Sequence, residues 1–199
     1  MDTGVRVKPP ALAWLLLCGE LALGSLAAWL AGPQLLDWQP DAAQAQPWRW
    51  WTAAFVHWSP SHLGANLAGL ALLALLGYQA GIPANMALAW IAAWPLTHLG
   101  LLLRPELQHY GGLSGLLHGG VAVLACWLVV MERGRPRWVG AALLAGLVVK
   151  VVLEQPWGNV LQMSGGWNLP VAPLAHATGA LCGLVCAVLA LARGPERRG

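Results

Sequence analysis

The chain has 199 residues, 58% of them hydrophobic and only 10% charged, where a soluble domain carries about a quarter charged residues. Eight acidic and eleven basic side chains cannot build a nucleic-acid-binding face or an acidic solvation shell, which excludes a disordered chain, a DNA-binding module and an ordinary cytosolic enzyme. A polytopic membrane protein remains, and at roughly 30 residues per span and connection the length admits about six helices.

The chain starts with a short segment, 1–10, carrying Arg6 and Lys8. The apolar run from Ala11 to Ala31 is too long for a signal-peptide core and meets Gly32-Pro33 without a small-residue cleavage site, so it is expected to stay as a transmembrane helix. Further runs bounded by Pro, Gly and charge predict spans at 61–79, 84–103, 113–131, 137–155 and 171–193, with a tail over 194–199. The predicted fold is all-α, a six-helix membrane bundle over 11–193. Arg6, Lys8, Arg133, Arg135, Arg137, Arg193, Arg197 and Arg198 fall on one face, against Arg49 and Arg104 on the other. Eight against two puts both termini in the cytoplasm and the N-terminal ends of the second, fourth and sixth spans outside. The long connection 32–60 holds Trp38, Trp48, Trp50, Trp51 and Trp58, which suits the outer leaflet boundary. The connection 156–170, with Gly158, Gly165, Gly166 and Pro170, carries no charge and is expected to cap the outer ends.

Hydrophobicity leaves some polar residues unexplained. Of five serines, Ser114 lies in Gly111-Gly112-Leu113-Ser114-Gly115 at the outer start of the fourth span. The glycines allow a tight turn and close approach of a peptide, and the helix N-terminus directs free N–H groups at any oxyanion formed there. Small residues also serve helix packing, so this motif alone is a weak signal. His176, one to two turns into the sixth span, lies at similar depth and is a candidate base. Gly115 and Gly119 on one helix and Gly179 and Gly183 on the other form small-xxx-small faces that bring the two helices together. His62 and Asn66, four apart in the first turns of the second span, can donate N–H bonds to an oxyanion, bridge helices, or line a polar path. Lys150 and Glu154 are also four apart; each costs about 2.5–3.5 kcal/mol at mid-bilayer, and mutual compensation and substrate recognition are both open. Glu154 and Trp157 are candidate substrate-gate residues, while Glu20 has no evident partner. His98, Arg104 and His109 are read as boundary-solvated. Cys18, Cys126, Cys182 and Cys186 all lie in apolar runs and are read as small core residues, with no metal site.

The pattern resembles the rhomboid family of intramembrane serine proteases along nearly the whole chain. The family's second-span motif reads as His57, His62 and Asn66; its Gly-x-Ser-Gly as Gly112, Leu113, Ser114 and Gly115; its sixth-span motif as Ala175, His176, Gly179 and Gly183; and its first-loop pair as Trp48 and Arg49. The resemblance implies Ser114 as nucleophile, His176 as general base, and the Ser114 backbone N–H with His62 and Asn66 as oxyanion hole. Gly112, Gly115, His57 and Gly179 are then supporting residues. Typical bacterial members place a tyrosine four residues after the serine, packed on the histidine; this chain has His118 there, which would stack or tune the base.

Short loops, the run Gly112–Gly119, and Lys150 with Glu154-Gln155 look like the rhombosortase branch, which is paired with secreted proteins ending in a GlyGly-CTERM tail. The resemblance implies substrates anchored by a C-terminal span, a location in the bacterial inner membrane with the site toward the periplasm, and contact with lipid but not nucleic acid. No cofactor is needed, and the oligomeric state is not legible. No aspartate follows Asp41, so a Ser-His dyad is expected, with water or an amine resolving the acyl-enzyme. Two alternatives stay open: a general rhomboid protease of single-span proteins, and a non-catalytic relative that binds membrane proteins.

Overall fold

Apolar runs of bilayer length must satisfy their backbone groups internally, which leaves helices as the local solution for this chain. The computed structural model describes residues 11–32, 35–164 and 169–193. The terminal segments 1–10 and 194–199, with Arg6, Lys8, Arg197 and Arg198 of the charge count, lie outside the described residues, as do Pro33, Gly165 and Gly166. Of the described residues, 71% are helical. Its helices are α1 (Leu12–Ala31), a single turn α2 (Arg49–Thr52), α3 (Pro60–Ala80), α4 (Ala84–Leu99), α5 (Ser114–Met131), α6 (Arg135–Leu153) and α7 (Pro173–Ala192). All but α2 are long and apolar enough to cross a membrane, α4 continuing through a 3-10 turn to Leu103.

The helix starts follow local chemistry. Ser59 caps α3 by accepting from the His62 backbone N–H at 3.1 Å, with Pro60 in the first turn. Prolines also open α6 and α7. Three boundaries lie two residues from the sequence expectation, one of them the start of the fifth span at Arg135 rather than 137. The fifth span ends at Leu153, not 155, so Glu154 is its C-cap residue. The sixth begins at Pro173, not 171, because Leu169–Val171 (β2) pairs antiparallel with Gln162–Ser164 (β1), placing a short hairpin in the connection expected to be only a cap.

The centre of the bundle is α5, with 61% of its apolar window buried against 11% for α6; α3, α4, α6 and α7 all pack on it. Trp14, Leu21, Met86, Trp90, Leu116 and Leu124 fill the core, and two indoles there are satisfied by main-chain carbonyls: Trp14 Nε1 donates to Leu73 O at 3.1 Å and Trp90 Nε1 to Leu116 O at 2.8 Å.

The long first connection is more than an aromatic belt. Trp48, Trp51 and Trp58 are exposed, but Trp38 is fully buried and packs edge-on against Trp50. Trp38 also exchanges backbone hydrogen bonds with Tyr110. Arg49, 4% exposed, donates from Nη1 to Asp37 Oδ1 at 2.9 Å and to the Asp37 carbonyl at 2.6 Å. This connection therefore builds a second small core with Ala53, Leu101, Leu107 and Ala172 beside the N-terminal ends of α5 and α7.

Candidate active site

Ser114 is the first residue of α5 and His176 the fourth of α7, so both stand at the same end of two adjacent helices. The helices touch backbone to backbone. A Cβ on Gly115 would lie 2.8 Å from the Ala175 carbonyl oxygen, one on Gly119 3.1 Å from the Gly179 carbonyl, and one on Gly183 2.6 Å from the Gly119 Cα. Only glycines permit this seam. It sets Ser114 Oγ 2.8 Å from His176 Nε2, within hydrogen-bond reach for a nucleophile and its base.

The start of α5 has no side-chain cap. The Ser114 N–H, with the positive end of the helix dipole, is available to a developing negative charge there, while the Gly115 N–H faces the Tyr110 hydroxyl. Gly112, at φ +134°, holds a backbone turn that disfavours side chains, and a Cβ there would press on the His62 ring at 2.8 Å. His62 and Asn66 line the same cavity of about 790 Å³ as Ser114 and His176. Asn66 is 5% exposed, and its Nδ2 has no hydrogen-bond partner among the described residues. A buried amide donor left free beside a serine is an expensive arrangement that an incoming oxygen would relieve. His57 lies just outside the span, edge-on to His62 at 4.9 Å between ring centroids, with Nδ1 donating to the Phe55 carbonyl at 3.0 Å. Burial, and then the neighbouring His62, pushes its pKa down to about 4.

His118 stacks on His176, ring centroids 4.1 Å apart and planes 10° from parallel, while its Nδ1 meets the Ser114 carbonyl at 2.6 Å. Stacking is thus the one of the two expected roles of His118 that the geometry shows. Glu154 departs most from the sequence expectation. Its Oε2 lies 2.6 Å from His176 Nδ1, and its Oε1 accepts from Lys150 Nζ. The expected dyad rested on the lack of a late aspartate; the structure instead places a glutamate at Nδ1 of His176, the nitrogen away from Ser114. Burial alone would raise the Glu154 carboxyl, but hydrogen bonding and charge from His176 and then from Lys150 outweigh it and hold the pKa at about 2. Trp157, the other proposed gate residue, is exposed and does not line the cavity.

Several functional-looking contacts escaped sequence reasoning. Asp37, 1% exposed, forms part of the cavity wall and accepts from Arg49, from Gln39 at 2.9 Å and from His109 Nδ1 at 2.6 Å. His98 is not boundary-solvated: it is fully buried, with Nδ1 donating to the Trp50 carbonyl at 2.6 Å. Arg104 ties the hairpin connection to the 3-10 turn after α4 by donating to the Gly158 carbonyl at 3.0 Å. Tyr110, buried between Trp38 and the start of α5, donates to Gly112 O at 3.3 Å; burial pushes its phenol up to about 12, against hydrogen bonding to Ser114 and Gly115. Such partners are separated by up to 72 residues in sequence, and no local pattern announces them. Cys18 and Cys126 are buried as expected, Cys182 and Cys186 are partly exposed, and all four are unpaired.

Residues 44–193 match the Rhomboid domain family. The chain belongs to the rhomboid family. It is also 32% identical over 160 residues to a protein described as Rhomboid protease GlpG, from Serratia proteamaculans (strain 568). The aligned region covers 76% of this chain and 51% of that protein, so the chain spans about half the length of the relative. The rhomboid match takes in Ser114, His176, His62, Asn66, His118 and Glu154, whereas α1 and Asp37 precede it.

Proposed function

We propose that this rhomboid is an intramembrane serine endopeptidase with Ser114 as nucleophile and His176 as general base. The observation that carries the reading is the 2.8 Å contact between Ser114 Oγ and His176 Nε2 at an uncapped helix N-terminus inside the cavity. As Oγ attacks the scissile carbonyl, its proton passes to Nε2 and the carbonyl electrons move to oxygen. The Ser114 N–H, Asn66 Nδ2 and His62 receive that oxyanion. On collapse the C–N bond breaks and Nε2–H protonates the leaving amine; water or another amine then releases the acyl group. No cofactor takes part in these steps.

The proposed substrate is a secreted protein held by a C-terminal span behind a Gly-Gly segment, as in the rhombosortase branch. Small residues leave the helical state easily and fit a cleft between packed helices. The site then faces the periplasm from the bacterial inner membrane, with both termini cytoplasmic. The test is cleavage of a GlyGly-tailed reporter and of an unrelated single-span reporter in proteoliposomes, with covalent labelling by a fluorophosphonate. Ser114→Ala should abolish labelling and both cleavages while the protein still melts normally; retained cleavage removes the nucleophile assignment. Replacing the two substrate glycines by valine should suppress turnover. Equal cleavage of both reporters, indifferent to valine, removes the tail specificity and leaves a general rhomboid protease. Labelling without cleavage of any membrane reporter would favour a membrane-protein-binding role.

A further inference from the structure

The base in the proposed reaction has two nitrogens, and only one faces the serine. His176 Nε2 must hold a lone pair to accept the Ser114 proton, which requires the neutral ring to carry its hydrogen on Nδ1. Nδ1 lies 2.6 Å from Glu154 Oε2. A carboxylate accepts and does not donate, so it selects the Nδ1–H tautomer and turns Nε2 toward the serine. We propose that Glu154 is a positioning residue that completes a Ser114–His176–Glu154 triad, with Lys150 as the counter-ion that keeps it ionised; this rests on the protease reading above.

Three observations support the assignment independently of one another. Glu154 is the C-cap of α6, a different helix from either catalytic partner, and its side chain is only 18% exposed at the point where it crosses to α7. An acid with no role there would remain in solvent or pair with Lys150 alone. Its two oxygens are divided instead, one to the Lys150 ammonium and one to the imidazole. Finally, the His118 stack fixes the plane of the His176 ring but is equally compatible with a 180° flip about the Cβ–Cγ bond, which exchanges Nδ1 with Cδ2 and Nε2 with Cε1; a hydrogen bond at Nδ1 is the element that selects one of the two.

The proton inventory closes without moving a proton to Glu154. In the first half-reaction Nε2 takes the serine proton and the ring becomes an imidazolium between Oγ and the carboxylate. Nδ1–H stays on nitrogen, and the carboxylate stabilises the new positive charge. In the second, Nε2–H goes to the leaving amine and the starting tautomer returns. The same cluster of His118, Glu154 and His176 brings three ligand-type atoms within 4.8 Å. The two rings are nearly parallel, however, so their in-plane lone pairs do not converge on one ion, and a metal on His176 Nδ1 would displace the Glu154 bond.

The test uses the full chain in detergent or proteoliposomes. Glu154→Gln keeps the shape and removes the charge; it should lower both kcat on a single-span reporter and the rate of fluorophosphonate labelling by about 10²- to 10⁴-fold, with KM and melting little changed. Glu154→Asp should recover part of the loss, and Lys150→Met should cause a smaller one. Because a variant can misfold, the wild-type protein with ¹⁵N-labelled histidine supplies a second readout: His176 should show a protonated Nδ1 with a far-downfield proton resonance, and this signal should vanish in Glu154→Gln. Wild-type kcat in Glu154→Gln, a loss confined to KM, or an unprotonated Nδ1 in the wild type each overturns the triad. So does activity that disappears on chelation, which would give the cluster to a metal. Failure of the protease reading is separate and shows in Ser114→Ala, which would then label as well as the wild type.

Discussion

Substituting Gly183 by alanine tests whether the α5–α7 seam sets the chemistry. Gly183 lies two turns from His176 on α7 and touches no reacting group, yet its new Cβ would sit 2.6 Å from the Gly119 Cα, where ordinary contact begins at 3.4 Å. The backbones must part by about 0.8 Å or more, since no flexible side chain can give way. Carried along α7, that displacement lengthens the 2.8 Å Ser114–His176 contact to about 3.6 Å, outside hydrogen-bond range. A misplacement near 1 Å costs about 10²-fold in rate, and overpacking costs about 1–3 kcal/mol in stability. Gly119→Ala, whose Cβ falls 3.1 Å from the Gly179 carbonyl oxygen, needs a shift of only about 0.3 Å and should lose several-fold at most. Gly19→Ala on α1 meets nothing within 4 Å and should be silent. Reporter cleavage and fluorophosphonate labelling, measured well below each variant's melting temperature, read the effect. Wild-type rates in Gly183→Ala, or a greater loss in Gly119→Ala, would refute the idea that glycine contact fixes the serine–histidine distance.

Three further outcomes are expected. Asn66→Ala and His62→Ala should each lower kcat by about 10- to 10³-fold, since side-chain donors are lost while the Ser114 N–H remains; an unimpaired double variant would put the oxyanion assignment aside. Reporter fusions after Arg135 and after Arg193 should both read cytoplasmic, and a periplasmic signal at Arg135 would reverse the proposed orientation. His57 has a pKa of about 4 against an ordinary 6.5, so the unfolded chain binds the proton first and folded-state stability falls as pH drops from 6.5 toward 4, by up to about 3 kcal/mol. Melting temperatures at pH 7 and pH 4.5 should diverge more in the wild type than in His57→Gln; equal slopes would remove His57 as the cause.

Much of the scaffold was legible because the bilayer narrows the choices. A 20-residue apolar run can hardly do anything but form a helix, so the six spans fell within a few residues of their observed ends. The pairing of Ser114 with His176 was legible for a related reason: glycines at matched four-residue intervals on two helices are a contact pattern written in one dimension. The hairpin was not, since Gln162–Ser164 and Leu169–Val171 are too short and too interrupted by proline to show a strand period. Asp37 was not legible either, because its value comes from Arg49, Gln39 and His109, two of them more than ten residues away.

Glu154 was visible as a residue and misread as a contact. Its four-residue spacing from Lys150 accounts for one carboxylate oxygen. Glu154 keeps right-handed helical backbone and bonds its N–H to the Lys150 carbonyl, so its position is the one a helical residue would take. What the sequence could not show is that α7 brings His176 to the second oxygen. The three restraints on His176 act on different freedoms: the glycine seam on its distance, His118 on its ring plane, Glu154 on which of the two flipped orientations the ring takes in that plane. Since they come from α5 and α6 as well as α7, the orientation of one imidazole depends on three helices. Yet α6 is the least buried of the three, at 11% of its apolar span, and it packs on α5 far more than on α7. Whatever shifts α6 relative to α7 acts on the Glu154 contact before it acts on the seam.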